Sequence, residues 1–209
     1  MRDNSKLEQK KAKKLADYQI KTKKLNKFFL INLIVFVLFI GFFFLDWIYI
    51  YNGASDAKGV IGVEIYNSGF KLLMALFGNG FESENAFYDN LFLFNYYASG
   101  PVHVLAVVAL IMLIVLIALI TINVIGTVKK NHKLFYVNCG LSIALAITTL
   151  VGVISVSQAS GPMISGYCSG NPNCSLQTFL TLPLIISIIM TGLNFVVLFI
   201  DRKHARELK

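Results

Sequence analysis

The sequence lacks charged side chains over two long stretches. No Asp, Glu, Lys or Arg occurs in the 39 residues from 90 to 128 or in the 67 residues from 134 to 200. About a quarter of the residues in an ordinary globular protein are charged, whereas side chains placed in hydrocarbon must be apolar because a charge there is costly. These gaps exclude a conventional soluble domain and indicate a polytopic membrane protein.

Signatures of catalysis are missing as well. The sequence contains no Gly-x-Ser-x-Gly, His-Glu-x-x-His, Walker-type glycine loop or Cys-x-x-Cys. Glu82 and Glu84 lie in a polar loop and are most simply surface charge. We therefore expect no enzymatic activity, no cofactor and no metal site. Among Asp, Glu, His, Lys and Arg, the apolar runs contain one residue, His103. It is expected at the outer interface, with an external pH sensor as the alternative.

Cysteine is scarce, with three residues in the chain. Cys168 and Cys174 flank a Gly-Asn-Pro-Asn turn in a loop expected to be extracellular, where oxidation is possible, and we predict a disulfide between them. Two thiols alone do not complete a tetrahedral zinc site. Cys139 lies in an apolar run and is expected to be a small packing residue.

Four apolar runs are present: residues 28–45, 101–128, 134–157 and 176–200. Each has 18 or more residues, enough to cross a hydrocarbon core of about 30 Å at about 1.5 Å per helical residue. Backbone groups in lipid must be paired within the segment, so we expect four transmembrane helices. Pro101 should open the second helix, and Pro183 should kink the fourth.

The charges that do occur are distributed unevenly. Residues 1–27 carry ten Lys or Arg against three acids, and further basic residues lie in the turn 129–133 and the tail 201–209. The loop 46–100 has two Lys against six acids, and the loop 158–175 has no charge. Because Lys and Arg collect on the cytoplasmic side of spans, we expect a multi-pass protein of the plasma membrane with both termini cytoplasmic.

The loop 46–100 is too long for a simple connector. Its runs Trp47–Tyr51 and Val60–Tyr66 are rich in aromatic and β-branched residues, and turn residues separate them, which favours a β-hairpin. Phe70–Phe77 and Glu84–Tyr97 are expected to be short helices. The sequence thus predicts an all-α membrane protein, a four-transmembrane-helix bundle with a small extracellular cap of β-hairpin and helices. The aromatic residues of the cap would anchor it at the membrane interface or form a patch for a partner protein.

The basic N-terminal segment 1–27 contains no Pro or Gly and is expected to be helical. A Lys or Arg near an anionic leaflet contributes about 1 kcal/mol, so we expect this arm to bind anionic lipids of the inner leaflet. RNA or a ribosome is the alternative polyanion, and it is less favoured because the spans already place the arm at the bilayer. The lysines expected to make the contact are Lys10, Lys11, Lys13, Lys14, Lys21, Lys23, Lys24 and Lys27.

Each predicted span contains a single asparagine near its cytoplasmic end: Asn32, Asn123, Asn138 and Asn194. Because the spans alternate in direction, the four amides are expected at one depth, roughly 6–9 Å inside the inner boundary. Gly126, Gly140 and Gly192 lie near the same level and would allow helices to approach closely. We expect amide hydrogen bonds that join the helices. The alternative is a polar vestibule that binds an ion or a small solute.

The outline resembles the claudin-like tetraspan group. The residues that carry the resemblance are Trp47, the strand-like run that follows it to Tyr51, and Val60–Tyr66 leading to Gly69-Phe70. Claudins carry a Gly-Leu-Trp-Cys motif and a Cys pair in the first external loop, and this chain has neither there. The resemblance therefore implies the fold, without the adhesion and barrier activity of claudins.

These features predict a non-catalytic integral membrane protein that acts by association, as a scaffold or as an accessory subunit of a membrane complex. Its expected partners are the lipid bilayer and either another membrane protein or a second copy of the chain, and nucleic acid is not expected. The alternative is a transport or channel component with a solute path near the asparagine layer. The absence of charge inside the spans counts against that alternative.

Overall fold

The computed structural model describes residues 2–52, 64–77, 86–129, 133–167 and 174–208, most of which are helical. The helices are α1 (Arg2–Ile40), α2 (Gly69–Phe77), α3 (Ala86–Lys129), α4 (Lys133–Tyr167) and α5 (Thr181–Leu208). A 3-10 turn, Gly41–Phe43, follows α1. The strands are β1 (Asp46–Asn52), β2 (Glu64–Ser68) and β3 (Cys174–Gln177).

Within the described ranges, three helices are long and apolar enough to cross a membrane. Their apolar sections are Val104–Lys129 of α3, Lys133–Gln158 of α4 and Thr181–Lys203 of α5. The apolar section of α1, Lys27–Phe43, is shorter. The prediction of a largely helical chain with long apolar helices is confirmed, and this composition is compatible with an integral membrane protein.

Two prolines lie at positions that differ from those expected. Pro101 lies inside α3 instead of opening it, because α3 begins at Ala86 and includes the segment expected to be a separate amphipathic helix. Pro183 lies in the first turn of α5, because residues 174–177 form β3 instead of extending the helix. The first N–H groups of a helix have no acceptor within it, so a proline there gives no physical reason for a kink.

Helices α4 and α5 run antiparallel in a fixed register. Gly152 of α4 faces Leu180, where an added Cβ atom would lie 3.3 Å from Leu180 Cδ1. Asn138 lies 14 residues before Gly152 on α4, and Asn194 lies 14 residues after Leu180. These two asparagines are joined by an amide hydrogen bond. Helix α3 packs against α4, and α1 packs against both α3 and α5.

The strands form one antiparallel sheet with β1 at its centre, in the order β2-β1-β3. β1 includes the run Trp47–Tyr51, and β2 starts at Glu64, while residues 60–63 of the expected second strand lie outside the described part of the chain. β3 is unexpected: Asn52 pairs with Cys174, and Tyr49 pairs with Gln177. The chain entering α5 is therefore tied to the segment that follows α1.

The buried apolar side chains of the described residues form two clusters. The larger cluster joins the four long helices to the sheet and includes Phe39, Trp47, Leu105, Leu145 and Met190. The smaller cluster lies at the other end of the helices and contains Phe29, Phe135 and Val197. The asparagines are on the turns of helix next to this smaller cluster.

Candidate functional site

The structure brings four asparagines together, one from each long helix. Asn32 is on α1, Asn123 on α3, Asn138 on α4 and Asn194 on α5. Three of these side chains are completely buried, and Asn194 is 2% exposed. Burial of an amide is costly unless it is hydrogen-bonded, so the contacts among the four side chains decide what this site does. We call them the asparagine layer.

Direct hydrogen bonds connect the four amides in one chain. Asn123 Nδ2 donates to Asn138 Oδ1, and Asn138 Nδ2 donates to Asn194 Oδ1, each at 2.8 Å. Asn32 Nδ2 also donates to Asn194 Oδ1 at 2.8 Å. Asn194 Oδ1 therefore accepts two hydrogen bonds from two different helices. Each of these bonds crosses a helix–helix contact, so the layer joins α3 to α4, α4 to α5 and α5 to α1.

A serine extends the network along α4. Asn194 Nδ2 donates to Ser142 Oγ at 2.8 Å, and Ser142 Oγ donates to the carbonyl oxygen of Asn138 at 2.8 Å. Asn123 Nδ2 also donates to the carbonyl oxygen of Leu119, at 2.7 Å. Ser142 is itself buried. Ser142 is not predicted from the sequence, although its position four residues after Asn138 places it on the same face of the helix.

Two oxygens of the layer have no hydrogen-bond donor among the described residues: Asn32 Oδ1 and Asn123 Oδ1. Turning either amide over would not help. A reversed Asn32 would direct its oxygen at Asn194 Oδ1, and a reversed Asn123 would direct its oxygen at Asn138 Oδ1. Both of those positions require a donor, so the network itself fixes the orientation of the amides.

One glycine allows α1 and α3 to approach closely beside the layer. An added Cβ atom on Gly126 would lie 2.6 Å from Cδ1 of Phe29. The Phe29 ring is stacked on Phe135 with centroids 4.3 Å apart, so it has little freedom to move. The expectation of close approach is wrong for Gly140 and Gly192, because a Cβ atom on either would have no neighbour within 4 Å.

Trp47 is a packing centre at the opposite end of the helices. It is 1% exposed, so the expectation of an interfacial anchor is wrong for this residue. Its Nε1 donates to the carbonyl oxygen of Phe42 at 2.8 Å, and its own carbonyl oxygen accepts from Thr178 Oγ1 at 2.7 Å. Gly69, the first residue of α2, lies against the indole. Trp47 thus holds together the 3-10 turn after α1, the start of α2 and the segment before α5.

The lysines expected to contact lipid are all on α1. Lys10, Lys11, Lys13, Lys14 and Lys27 are exposed, and Lys21, Lys23 and Lys24 lie on the same helix between them. At the far end of the chain Arg202 Nε donates to Tyr136 Oη at 2.7 Å, and its guanidinium lies 5.1 Å from the centre of the Tyr136 ring. This contact joins the end of α5 to the start of α4, next to the smaller apolar cluster.

The structure describes some of the remaining candidate residues and not others. Cys168 lies outside the described residues, so its disulfide with Cys174 stays a prediction, whereas Cys139 is a free buried thiol. His103 is on α3.

Within the described ranges no group of three His, Cys, Asp or Glu side chains could hold a metal ion. The asparagine layer contains neutral amides, and Ser142 adds one hydroxyl beside it. Such groups can join helices or bind a hydrogen-bonding molecule. The chain matches no protein-family model, no curated protein and no solved structure.

Proposed function

We propose that the protein is a non-catalytic integral membrane protein with four spans that acts by association, as a scaffold or accessory subunit of a membrane complex. The observation that carries the proposal is the basic arm, residues 2–26 of α1. Every side chain from Glu8 to Asp17 is exposed, and the arm continues into the apolar section of the same helix without a break. Isolated helices are marginal in water, so an exposed helical arm is best stabilised by contact with another molecule.

The fourth span in this proposal is the section Lys27–Phe43. Its 17 residues would extend about 25 Å, close to the roughly 30 Å of a hydrocarbon core. The section is joined to the rest of the bundle by the bond from Asn32 to Asn194 and by the contact of Phe29 with Gly126. With four spans, the basic ends of the bundle are cytoplasmic, and the sheet around Trp47 is an extracellular cap.

Because α1 is one continuous helix, the arm can contact two kinds of partner: lipid near Lys27 and a membrane protein further from the bilayer. No Pro or Gly occurs between residues 2 and 40, and sharp helix kinks almost always need such a cause. Lys27 lies at the membrane boundary, where anionic lipids of the inner leaflet can bind it. Lys10 lies 17 residues earlier on α1, about 25 Å further along the helix axis and beyond a Debye length of about 8 Å. The distal lysines are therefore suited to an acidic surface on a partner membrane protein.

Exposed aromatic residues beside the cap give a second contact surface. Phe44 and Phe70 are stacked with ring centroids 5.7 Å apart, and they are 68% and 44% exposed. Met74, one turn further along α2, is also exposed. A surface of this kind at the outer boundary is suited to lipid headgroups or to the apolar flank of a neighbouring protein.

The asparagine layer supports the structural role more strongly than a solute path. Its side chains are buried, and each amide nitrogen is used in a bond to another helix or to Ser142. A solute would have to break these bonds to pass. A transport or channel role remains the alternative, and the two oxygens without donors are the observation that favours it.

The test is gentle detergent extraction of the tagged protein from its native membrane, followed by mass spectrometry of the bound proteins. The proposal predicts a membrane protein in stoichiometric amount, and its loss when Lys10, Lys11, Lys13 and Lys14 are all replaced by Glu. The control variant carries Lys129→Glu and Lys203→Glu, two exposed basic residues outside the arm, and should retain the partner. Recovery of the protein as a monomer without a partner would contradict the proposal. Recovery as a homo-oligomer would identify the partner as a second copy.

A further inference from the structure

The two unpaired oxygens of the asparagine layer belong to helices that face each other. Phe29 of α1 lies against Gly126 of α3. The helices run antiparallel, so three residues forward on α1 and three residues back on α3 lead to Asn32 and Asn123. Residues three apart on a helix share a face. Asn32 and Asn123 therefore lie at one level across the contact between α1 and α3.

This contact is the one side of the layer without a direct amide bond. The four helices pack in a closed ring in which α1 touches α3 and α5, and α4 touches α3 and α5. Amide hydrogen bonds close three sides of that ring, between α3 and α4, between α4 and α5, and between α5 and α1. On the fourth side two acceptors, Asn32 Oδ1 and Asn123 Oδ1, have no donor among the described residues.

No direct bond closes this side among the described residues. Asn32 Nδ2 is oriented by its bond to Asn194, and Asn123 Nδ2 already donates to Asn138 and to the carbonyl oxygen of Leu119. One amide oxygen cannot donate to another, and a buried acceptor without a donor is destabilising. A molecule that donates two hydrogen bonds would satisfy both oxygens.

We propose that one buried water molecule binds between α1 and α3 and donates a hydrogen bond to Asn32 Oδ1 and another to Asn123 Oδ1. A water has two donor hydrogens, and buried waters characteristically bond to two to four otherwise unsatisfied polar groups. A metal cation fits less well. Ca²⁺ takes six to eight oxygen ligands and Mg²⁺ takes six, whereas this site offers two neutral amide oxygens. The water site is independent of the proposed association with a partner.

The proposed water site makes one side of the asparagine layer different from the other three. Three sides are closed by direct amide bonds, and the side between α1 and α3 is closed through a water molecule. A bridging water is nearly as favourable in enthalpy as a direct bond.

The experiment is water-edited solid-state NMR of the isotope-labelled protein in lipid bilayers, with magnetisation transferred from water protons to the side-chain carbonyl carbons of asparagine. We expect transfer to Asn32 and Asn123 to build up several-fold faster than transfer to Asn138 and Asn194. In the variant Asn32→Leu, transfer to Asn123 should fall to the level of Asn138, because the water loses one of its two acceptors. The wild-type comparison does not depend on that variant folding.

Three results would overturn the proposal. Absence of fast transfer at Asn32 and Asn123 would mean that this side is dry. Equally fast transfer at all four asparagines would indicate a water-filled vestibule, as the transport alternative requires. A rise in melting temperature of the purified protein on replacing N-methylglucamine chloride with sodium, potassium or ammonium chloride at constant ionic strength would assign the site to a monovalent cation.

Discussion

Asn194 of α5 accepts hydrogen bonds from Asn32 of α1 and from Asn138 of α4 on a single oxygen, with both donor–acceptor distances at 2.8 Å. These two residues lie on either side of Asn194 in the ring of helices. The amide of Asn194 is therefore the point at which α1 and α4 are both attached to α5, and it is the member of the layer whose loss leaves most groups unpaired.

Replacing Asn194 by Leu should destabilise the protein by about 2–5 kcal/mol, because three bonds worth roughly 0.6–1.7 kcal/mol each are lost. The measurement is the unfolding free energy in detergent or bilayers. The control is Thr121→Val, which removes an exposed hydroxyl bonded only to the carbonyl of Ile117 in its own helix and should cost about 0.5 kcal/mol or less. Equal effects of the two substitutions would contradict the role assigned to Asn194.

Gly126→Ala should be destabilising by about 1–3 kcal/mol, the usual cost of overpacking. The added methyl group would lie 2.6 Å from the Phe29 ring, which is held by its stack on Phe135. Thermal unfolding of Gly126→Ala is compared with that of Gly192→Ala, whose new methyl group meets no atom within 4 Å. Gly192→Ala should be neutral or stabilising, because Ala is the better helix former. Adding Phe29→Ala to Gly126→Ala should recover part of the loss, and a neutral Gly126→Ala would show that the helices are not in close contact.

Gly69→Ala should destabilise the cap, because its Cβ atom would clash with the indole of Trp47. The indole cannot move away without breaking its hydrogen bond to Phe42. Intrinsic Trp47 fluorescence is a direct readout, since Trp47 is the one tryptophan of the chain. We expect its emission to shift to longer wavelength as the ring becomes hydrated, with a lower melting temperature. Gly41→Ala, where a Cβ atom has open space, should leave both quantities unchanged.

Thr178→Val should loosen the attachment of α5 to the sheet. The hydroxyl donates to the carbonyl of Trp47 at 2.7 Å and accepts from the N–H of Leu180 at 3.1 Å, so its loss should cost about 1–2 kcal/mol. Hydrogen exchange at the Leu180 amide should speed up in Thr178→Val. Thr178→Ser keeps the hydroxyl and should retain protection, and an equally fast exchange in both variants would refute this assignment.

Some of this arrangement can be predicted from the sequence. Charge-free runs identify the long helices because hydrocarbon and helix packing both exclude charge. The face of each glycine can also be predicted. Gly126 is three residues from Asn123 and shares its face, whereas Gly140 and Gly192 are each two residues from an asparagine and point away from it. A glycine's depth along the helix axis is therefore not enough to predict that two helices approach closely there. The face on which the glycine lies is also needed.

Other features depend on tertiary contacts that the local pattern does not contain. β3 forms because residues 174–177 pair with β1, more than 120 residues earlier in the chain. The same four residues, Cys-Ser-Leu-Gln, carry no strong strand signal of their own. The interhelical bond of Ser142 cannot be predicted from the sequence, because a lone serine in an apolar helix usually bonds to its own backbone. Its bond from Asn194 depends on how α4 and α5 are aligned.

The most direct test of the account is the sidedness of α1, because a fourth span requires residues 12 and 55 to lie on opposite sides of the membrane. Single cysteines are introduced as Ala12→Cys, Ser55→Cys and Ala205→Cys in a chain carrying Cys139→Ala, Cys168→Ser and Cys174→Ser, and labelled with a membrane-impermeant maleimide. A four-span bundle predicts labelling of Ser55→Cys in intact cells, and labelling of Ala12→Cys and Ala205→Cys only after permeabilisation. Labelling of Ala12→Cys and Ser55→Cys from the same side would show that α1 does not cross the bilayer and would contradict the four-span bundle.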